Sequence, residues 1–424
     1  MRLWGERFGE GGGRLAERFG ASLGFDARLW EHDIAGSIAH ARMLGRCAII
    51  PKTEAEQIEA GLEALRAGLA SGELKFDPEG EDVHTEIERL LTEKIGPTAG
   101  KLGTGRSRND QVALDLRLYL RETIDETRER TAALQRALLG QAEKHLAEET
   151  VLPGYTHMQH AQAVLLAHHL LAYFWMLERD RARLAECRKR VNALPLGAGA
   201  LAGTSLPIDR EFVAQQLGFE AVAENSLDAV SDRDFAVEFL AAASLLMVHL
   251  SRLCEELVLW SGSEFGFVEL DEAWCTGSSL MPQKRNPDAA ELVRGKAGRV
   301  FGDLVATLTM LKGQPLAYNK DLQEDKEAVF DGADTALACL AAVEGMIASA
   351  RFKPERMQEA LKGDFSAATE VADYLVRKGV PFREAHRIVG GIVRECDQAG
   401  KRLEDLRLEE WQRHSPEFKE EVKK

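Results

Sequence analysis

Proline is scarce in this sequence, and paired cysteines and strand signals are scarcer still. Twelve prolines and 37 glycines in 424 residues are too few for a collagen-like or low-complexity chain, and with 45% apolar and 29% charged residues a soluble globular protein is expected. The six cysteines (Cys47, Cys187, Cys254, Cys275, Cys339, Cys396) lie far apart, with no CxxC pair and no zinc spacing, and read as apolar fillers in a reducing cytosol. Basic side chains are outnumbered by acidic ones, 54 to 69, and the net charge of −15 disfavours a phosphate backbone or an anionic membrane surface. Nucleic acid and membrane are therefore not expected partners. No run reaches 18 uninterrupted apolar residues, and the opening MRLWGERFGEGGGRL has no apolar h-region, so neither a span nor an export signal is expected. Gly11 to Gly13 have neither the strand nor the spacing of a phosphate loop and read as a mobile N-terminal loop.

What is present is helical pattern on a large scale. An interior proline removes a helical hydrogen bond, so the proline-free intervals 98 to 152, 154 to 194 and 208 to 281 are candidate long helices. Phe235, Phe239, Leu240, Leu246, Met247, Leu250, Leu253 and Leu257 recur mostly at three- and four-residue steps, predicting one helix of about 28 residues, roughly 40 Å long at 1.5 Å per residue. Asp110 to Glu149, Ala163 to Val191 and Glu291 to Lys312 read the same way, with shorter helices over Glu54 to Ala70, Ala367 to Lys378 and Phe382 to Ala399. Sustained alternation and Asn-Gly or Asp-Gly hairpin turns are missing. The expectation is an all-α long-helix bundle whose helices also pack against other subunits. Its divisions are an N-terminal mainly helical domain (1–107), a central long-helix domain (108–354) and a small C-terminal helical domain (355–424).

Polar, glycine-containing segments interrupt this pattern. In GSSLMPQKRNPD, Ser278 and Ser279 precede Lys284 and a helix start, with Asn286 suited to the N-cap and Pro287 to the first helical position. Such a loop can stabilise an oxyanion and activate a serine, or can be a plain capped loop; composition leaves both open. TGRSRNDQ sets Arg106 and Arg108 beside Ser107, Asn109 and Gln111, the makings of a carboxylate clamp. GYTHMQHAQ carries Thr156, His157, Gln159 and His160; with no HExxH and no carboxylate at ligand spacing, proton transfer is favoured over metal. EDVHTEIE holds His84 among carboxylates, and LAYNKDLQEDK offers Tyr318, Asn319, Lys320, Gln323 and Lys326; alone, each could be an ordinary helix start.

Four of these segments, TGRSRNDQ, GYTHMQ, GSSLMPQKRNPD and LAYNKDLQEDK in chain order, resemble the argininosuccinate lyases of the fumarase/aspartase superfamily, and the likeness runs from LWGERF to HSPEF. The resemblance implies a homotetramer around a twenty-helix core, with active sites shared between subunits, and cleavage of argininosuccinate to arginine and fumarate in arginine biosynthesis. It implies no metal and no organic cofactor, and a cytoplasmic location. It assigns catalysis to Ser278 and His157, with Glu291 orienting the histidine. Substrate binding falls to Ser22, Arg106, Ser107, Arg108, Asn109, Thr156, Lys284, Asn286, Tyr318, Gln323 and Lys326, with His84 and Gln159 in support. Ser278 as base and His157 as donor to the departing guanidino nitrogen is the preferred pairing, though the sequence leaves their order open. Met158, His160 and Ala163 stand where relatives commonly have Leu, Arg and Pro, and many relatives continue tens of residues past HSPEF. The rivals are superfamily lyases acting on adenylosuccinate, aspartate or malate, and catalytically silent crystallins of the same fold.

Overall fold

The structure, a computed structural model, describes residues 14–423, so Gly11 to Gly13 and the LWGERF motif lie outside the described residues. Long helices dominate, and the three longest expected ones lie within the proline-free intervals. Arg108–Ala147 runs 40 residues, Leu166–Val191 ends short of Pro195, and Asp234–Ser261 has the expected 28 residues. Asp288–Leu311 and Asp325–Ser349 follow. The helix expected from Glu54 begins at Lys52 and ends at Ala70, and Phe382–Ala399 matches its expected bounds.

Three local expectations need correction. Residues 163 to 165 are not helical: Val151–Thr156 and Gln159–Leu165 form an antiparallel hairpin, and the helix starts at Leu166. The hairpin was hidden because its turn residues are His157 and Met158 rather than Asn-Gly. The third concerns Asn286, which is not an N-cap but pairs with Thr276 in a two-residue strand. The helix starts at Asp288 instead, with the Pro287 carbonyl accepting from the Glu291 N–H at 3.1 Å. The remaining strands among the described residues are two-residue pairs.

The chain divides into two compact units. Among the described residues, one joins 14–131 with Arg179–Val248 and Gly295–Leu340; the other joins Ala132–Glu178, His249–Arg294 and 341–423. In the first, Trp30–Arg46, Lys52–Ala70 and Val83–Ile95 close over Leu44, Ile58, Leu62 and Leu91, all fully buried. The same core takes in Leu114, Leu120, Phe235, Phe239 and Val329 from the long helices. Each fully buried side chain of this kind contributes about 1.5–3 kcal/mol. In the second, Ala368–Arg377 and Phe382–Ala399 enclose Leu375, Val389, Ile392, Trp411 and Phe418. Windows within Asp234–Ser261 and Lys320–Ser349 reach mean hydropathies of 1.5 and 1.2, enough in length and composition to cross a bilayer, yet half or more of each window is buried within the chain, as in a core helix.

Candidate active site

The first unit holds a pocket of 430 Å³ built where four separated segments meet. Ser22 and Asp26 supply one wall, Asp82, His84 and Thr85 a second, Arg106, Ser107, Arg108 and Gln111 a third, and Tyr318, Lys320, Gln323 and Lys326 the fourth. Eight of the residues that the resemblance assigns to the site are thereby brought together: Ser22, His84, Arg106, Ser107, Arg108, Tyr318, Gln323 and Lys326. Asn109, one residue further, turns aside and its amide donates to the Ala200 carbonyl at 3.1 Å.

The walls are tied by hydrogen bonds that leave little freedom. Ser22 Oγ donates to Asp26 Oδ2 at 2.6 Å, and Asp26 Oδ1 accepts the Val83 N–H at 3.1 Å, joining the first wall to the second. Asp82 caps Val83–Ile95 by accepting the Thr85 N–H at 2.7 Å and lies 3.5 Å from Arg108 Nε. Arg108 also donates to Gln111 Oε1 (3.1 Å) and Thr85 Oγ1 (3.3 Å), so its fork is partly committed to the wall. Asp110, buried beneath, accepts the N–H groups of Ser107 (2.9 Å), Gly197 (3.0 Å) and Gly199 (2.9 Å) and pins the start of Arg108–Ala147.

Charge in the pocket is tuned by burial. Burial pulls the Lys326 ammonium below the ordinary lysine value, opposed chiefly by Asp325, whose Oδ1 accepts from Nζ at 2.7 Å. Asp325 is shared with Arg233, whose Nε donates to Oδ2 at 2.5 Å, and both side chains are fully buried. Burial pushes the Tyr318 phenol up and also raises the Asp26 carboxyl, against the pull of His84. His40, held down to about 3 by burial and then by the charge of Arg106, is a neutral imidazole bonded through Nε2 to the Thr104 carbonyl at 2.9 Å.

Behind His84 lie Asp33 and Asp115, all three buried and with ligand atoms within 4.8 Å of one another. A cation could be held by such donors. The spot, however, already carries the buried guanidinium of Arg106, and the Gln111 amide donates to Asp33 Oδ1. The trio therefore reads as a balanced charge network. Asp26, Asp33, Asp82, Asp115, Arg233 and Asp325 were all missed from sequence; only the Ser22/Asp26 spacing, one helical turn, and the adjacency of Asp325 to Lys326 offered a signal.

Thr156, His157, Gln159, Ser278, Lys284, Asn286 and Glu291 belong to the second unit and line no part of this pocket. Thr156 pairs with Gln159 across the hairpin, so His157 and Met158 form its two-residue turn, with φ of +55° and +59°. Positive φ at both positions is the type I′ geometry that favours Asn-Gly, so the turn carries backbone strain of the order of 1–3 kcal/mol per residue. Both side chains are exposed. Ser278 is half-buried, and its Oγ accepts the N–H groups of Leu280 (3.2 Å) and Met281 (3.1 Å). Lys284 and Glu291 are exposed and Asn286 half-buried. No hydrogen bond among the described residues of one chain links Ser278 or Glu291 to His157.

A family described as lyase matches residues 6–302, and one described as argininosuccinate lyase C-terminal matches residues 365–424. The argininosuccinate lyase of Pelotomaculum thermopropionicum is 60% identical over 99% of this chain and 91% of its own length; that of Desulforudis audaxviator is 61% identical over the same shares. The chain belongs to the argininosuccinate lyase family. Among solved structures, an EDDS lyase in complex with formate superposes with a TM-score of 0.81 at 30% identity, covering 95% of this chain and 79% of that one. A class II fumarase from Schistosoma mansoni, 16% identical over 90% of this chain and 86% of its own, with a TM-score of 0.76, shares the fold. The argininosuccinate lyase fold seen here is thus the long-helix fold of the fumarase/aspartase superfamily, as the motifs implied.

Proposed function

We propose that the chain catalyses the reversible elimination of argininosuccinate to L-arginine and fumarate, the last step of arginine biosynthesis, in the cytoplasm. The observation that carries this reading is the pocket: two of the four motifs that matched the family, TGRSRNDQ and LAYNKDLQEDK, converge with Ser22 and the His84 segment on a single cavity whose Arg, Lys and hydroxyl groups suit a dicarboxylate joined to a guanidino group. Full-length identity of about 60% to curated argininosuccinate lyases supports the same substrate.

The chemistry required is abstraction of a weakly acidic proton beside a carboxylate, then loss of a nitrogen leaving group. The intermediate is an enediolate-like dianion, so donors must meet charge that the substrate lacks. We assign Ser278 as base, with Lys284, Asn286 and loop N–H groups stabilising the anion, and His157 as donor to the guanidino nitrogen, oriented by Glu291. Each proton transfer is worth about 10²–10⁴ in rate, or roughly 3–5 kcal/mol, so positioning by Ser22, Arg106, Ser107, Arg108, Asn109, Thr156, Gln159, Tyr318, Gln323 and Lys326 must supply the rest.

The assigned reacting groups, exposed His157 and half-buried Ser278, line no part of the pocket that holds the binding residues, which favours a homotetramer whose sites combine segments of different subunits. Apolar helix faces support the assembly: Phe301, Val305 and Leu308 recur at four- and three-residue steps on one face of Asp288–Leu311, Val305 being 61% exposed, and Leu245 and Val248 are exposed on Asp234–Ser261. Six free thiols fit a reducing compartment.

Purified protein mixed separately with argininosuccinate, adenylosuccinate, aspartate and malate, and followed by fumarate absorbance, tests the reading. Fumarate is expected from argininosuccinate; its release from another of the panel, with none from argininosuccinate, would overturn it.

A further inference from the structure

The Asp33, His84 and Asp115 network has a proton deficit. Asp33 Oδ1 is satisfied by His84 Nδ1 at 3.1 Å and by the Gln111 amide. Asp33 Oδ2 and both oxygens of Asp115 are buried with no donor, and His84 Nδ1 is 3.4 Å from Asp115 Oδ2 without a hydrogen bond to it. Two ionised carboxylates with three buried oxygens that no protein donor meets would be severely penalised, since an unsatisfied buried polar group costs about 1–3 kcal/mol and a charged one more. One added proton eases the conflict, because it turns one bare acceptor into a donor, and Asp33 and Asp115 have carboxylate oxygens within 4.8 Å of each other.

We propose that Asp33 and Asp115 share a single proton carried by Asp115, whose O–H donates to Asp33 Oδ2, and that this acid–carboxylate pair positions the ring of His84 at the pocket wall. The groups facing the pair set which partner keeps the proton. Asp33, on Trp30–Arg46, is met by His84 from Val83–Ile95, by the Arg106 guanidinium and by Gln111; burial raises its carboxyl, but these neighbours hold it well below the usual carboxylate range. Asp115, on Arg108–Ala147, is raised well above that range by burial and then by the charge of Asp33, with Arg106 and Arg108 opposing only in part. Asp26 and Asp82 face His84 from the pocket side, and Asp110 faces Arg106. The pair thus turns what would be two competing anions into one anion that accepts the His84 Nδ1–H. The Nδ1–H tautomer and ring angle are thereby fixed, and Nε2, which has no hydrogen-bond partner among the described residues, is left for the substrate. Asp115 touches no part of the pocket and is a positioning residue.

The test combines spectroscopy with a conservative rescue. The kinetic arm rests on the function proposed above; the spectroscopic arm does not, so failure of one is distinguishable from failure of the other. The infrared spectrum of the whole protein at neutral pH should show a protonated-carboxyl C=O band that shifts in D₂O and is missing from Asp115→Asn. In kinetics on argininosuccinate, Asp115→Ala should raise KM at least roughly tenfold, whereas Asp115→Asn, whose amide N–H replaces the acid O–H, should stay within about threefold of the parent protein. Such a split by donor ability is not what a filler of the core would produce. The proposal is overturned if the C=O band is absent or persists in Asp115→Asn, if Asn and Ala variants lose activity equally, or if metal analysis finds one equivalent of a divalent cation that Asp33→Ala removes.

Discussion

Replacing Asp325 by Asn removes one anion from two buried cations at once. Arg233 Nε and Lys326 Nζ donate to its two oxygens at 2.5 and 2.7 Å, and the three side chains are 0%, 4% and 0% exposed for Arg233, Lys326 and Asp325. After the change Arg233 keeps the Asp232 carbonyl (2.8 Å) and Lys326 the Leu322 carbonyl (3.1 Å), acceptors with no net charge. Leaving a buried charge without its partner costs about 3–5 kcal/mol, a large share of a stability that is roughly 5–15 kcal/mol for ordinary domains. The expected loss in melting temperature is on the order of 10 °C, read by far-UV circular dichroism. Lys326 is already pulled down by burial, and without its main opposing charge it gives up its proton more readily. The pocket then loses a cation, and KM should rise about tenfold, equivalent to roughly 1.4 kcal/mol, at a temperature where the variant is still folded. A melting point within about 2 °C of the parent and an unchanged KM would refute the idea that this triad anchors Lys326.

Two further outcomes are expected. Mixing inactive His157→Asn and Ser278→Ala proteins, with subunit exchange verified, should restore measurable fumarate release if sites combine segments of different subunits; no recovery at all would count against shared sites. Asp303 is raised from 3.8 to about 6 by burial and then by Asp331, and its Oδ2 is buried without a donor. A raised carboxyl binds its proton more tightly in the folded state, so its contribution is intact below about pH 4 and is lost as pH climbs through about 6. Asp303→Asn should therefore be more stable than the parent by roughly 1 kcal/mol near pH 8, after allowance for partial exposure, with the gain vanishing near pH 4. Equal differences at both pH values in urea unfolding would show another cause.

How far the sequence could be read depended on the range of the physics involved. Helices were legible because their determinants are local: the 28-residue helix at Asp234 and the bounds of Phe382–Ala399 follow from periodicity and proline alone. The hairpin carrying His157 was not, because its turn has no glycine or asparagine and its left-handed backbone is imposed by strand pairing on either side. Binding residues in motifs could be found as clusters of donors on helix starts. Their anchors could not: Arg233 lies 92 positions from Asp325, and Asp33 lies 51 from His84, so nothing short of the fold joins them.

That division bears on where the chemistry must come from. Within the pocket, Ser22 spends its proton on Asp26, and Ser107 Oγ accepts from the Asn109 N–H at 3.3 Å. Asp26 and Asp82 each accept a backbone N–H, and Lys326 and Arg108 are held by their own neighbours. Among the described residues that line it, these groups are committed to holding shape and charge, which suits recognition of a substrate better than movement of its protons. The exposed histidine on a strained turn and the half-buried serine in a polar loop have the opposite character: few constraints and room to approach a ligand. If His157 and Ser278 carry the proton transfers proposed above, a hydrogen-bonded binding wall and less constrained reacting groups are what a site completed by subunit association requires, since only the latter need to adjust when copies come together.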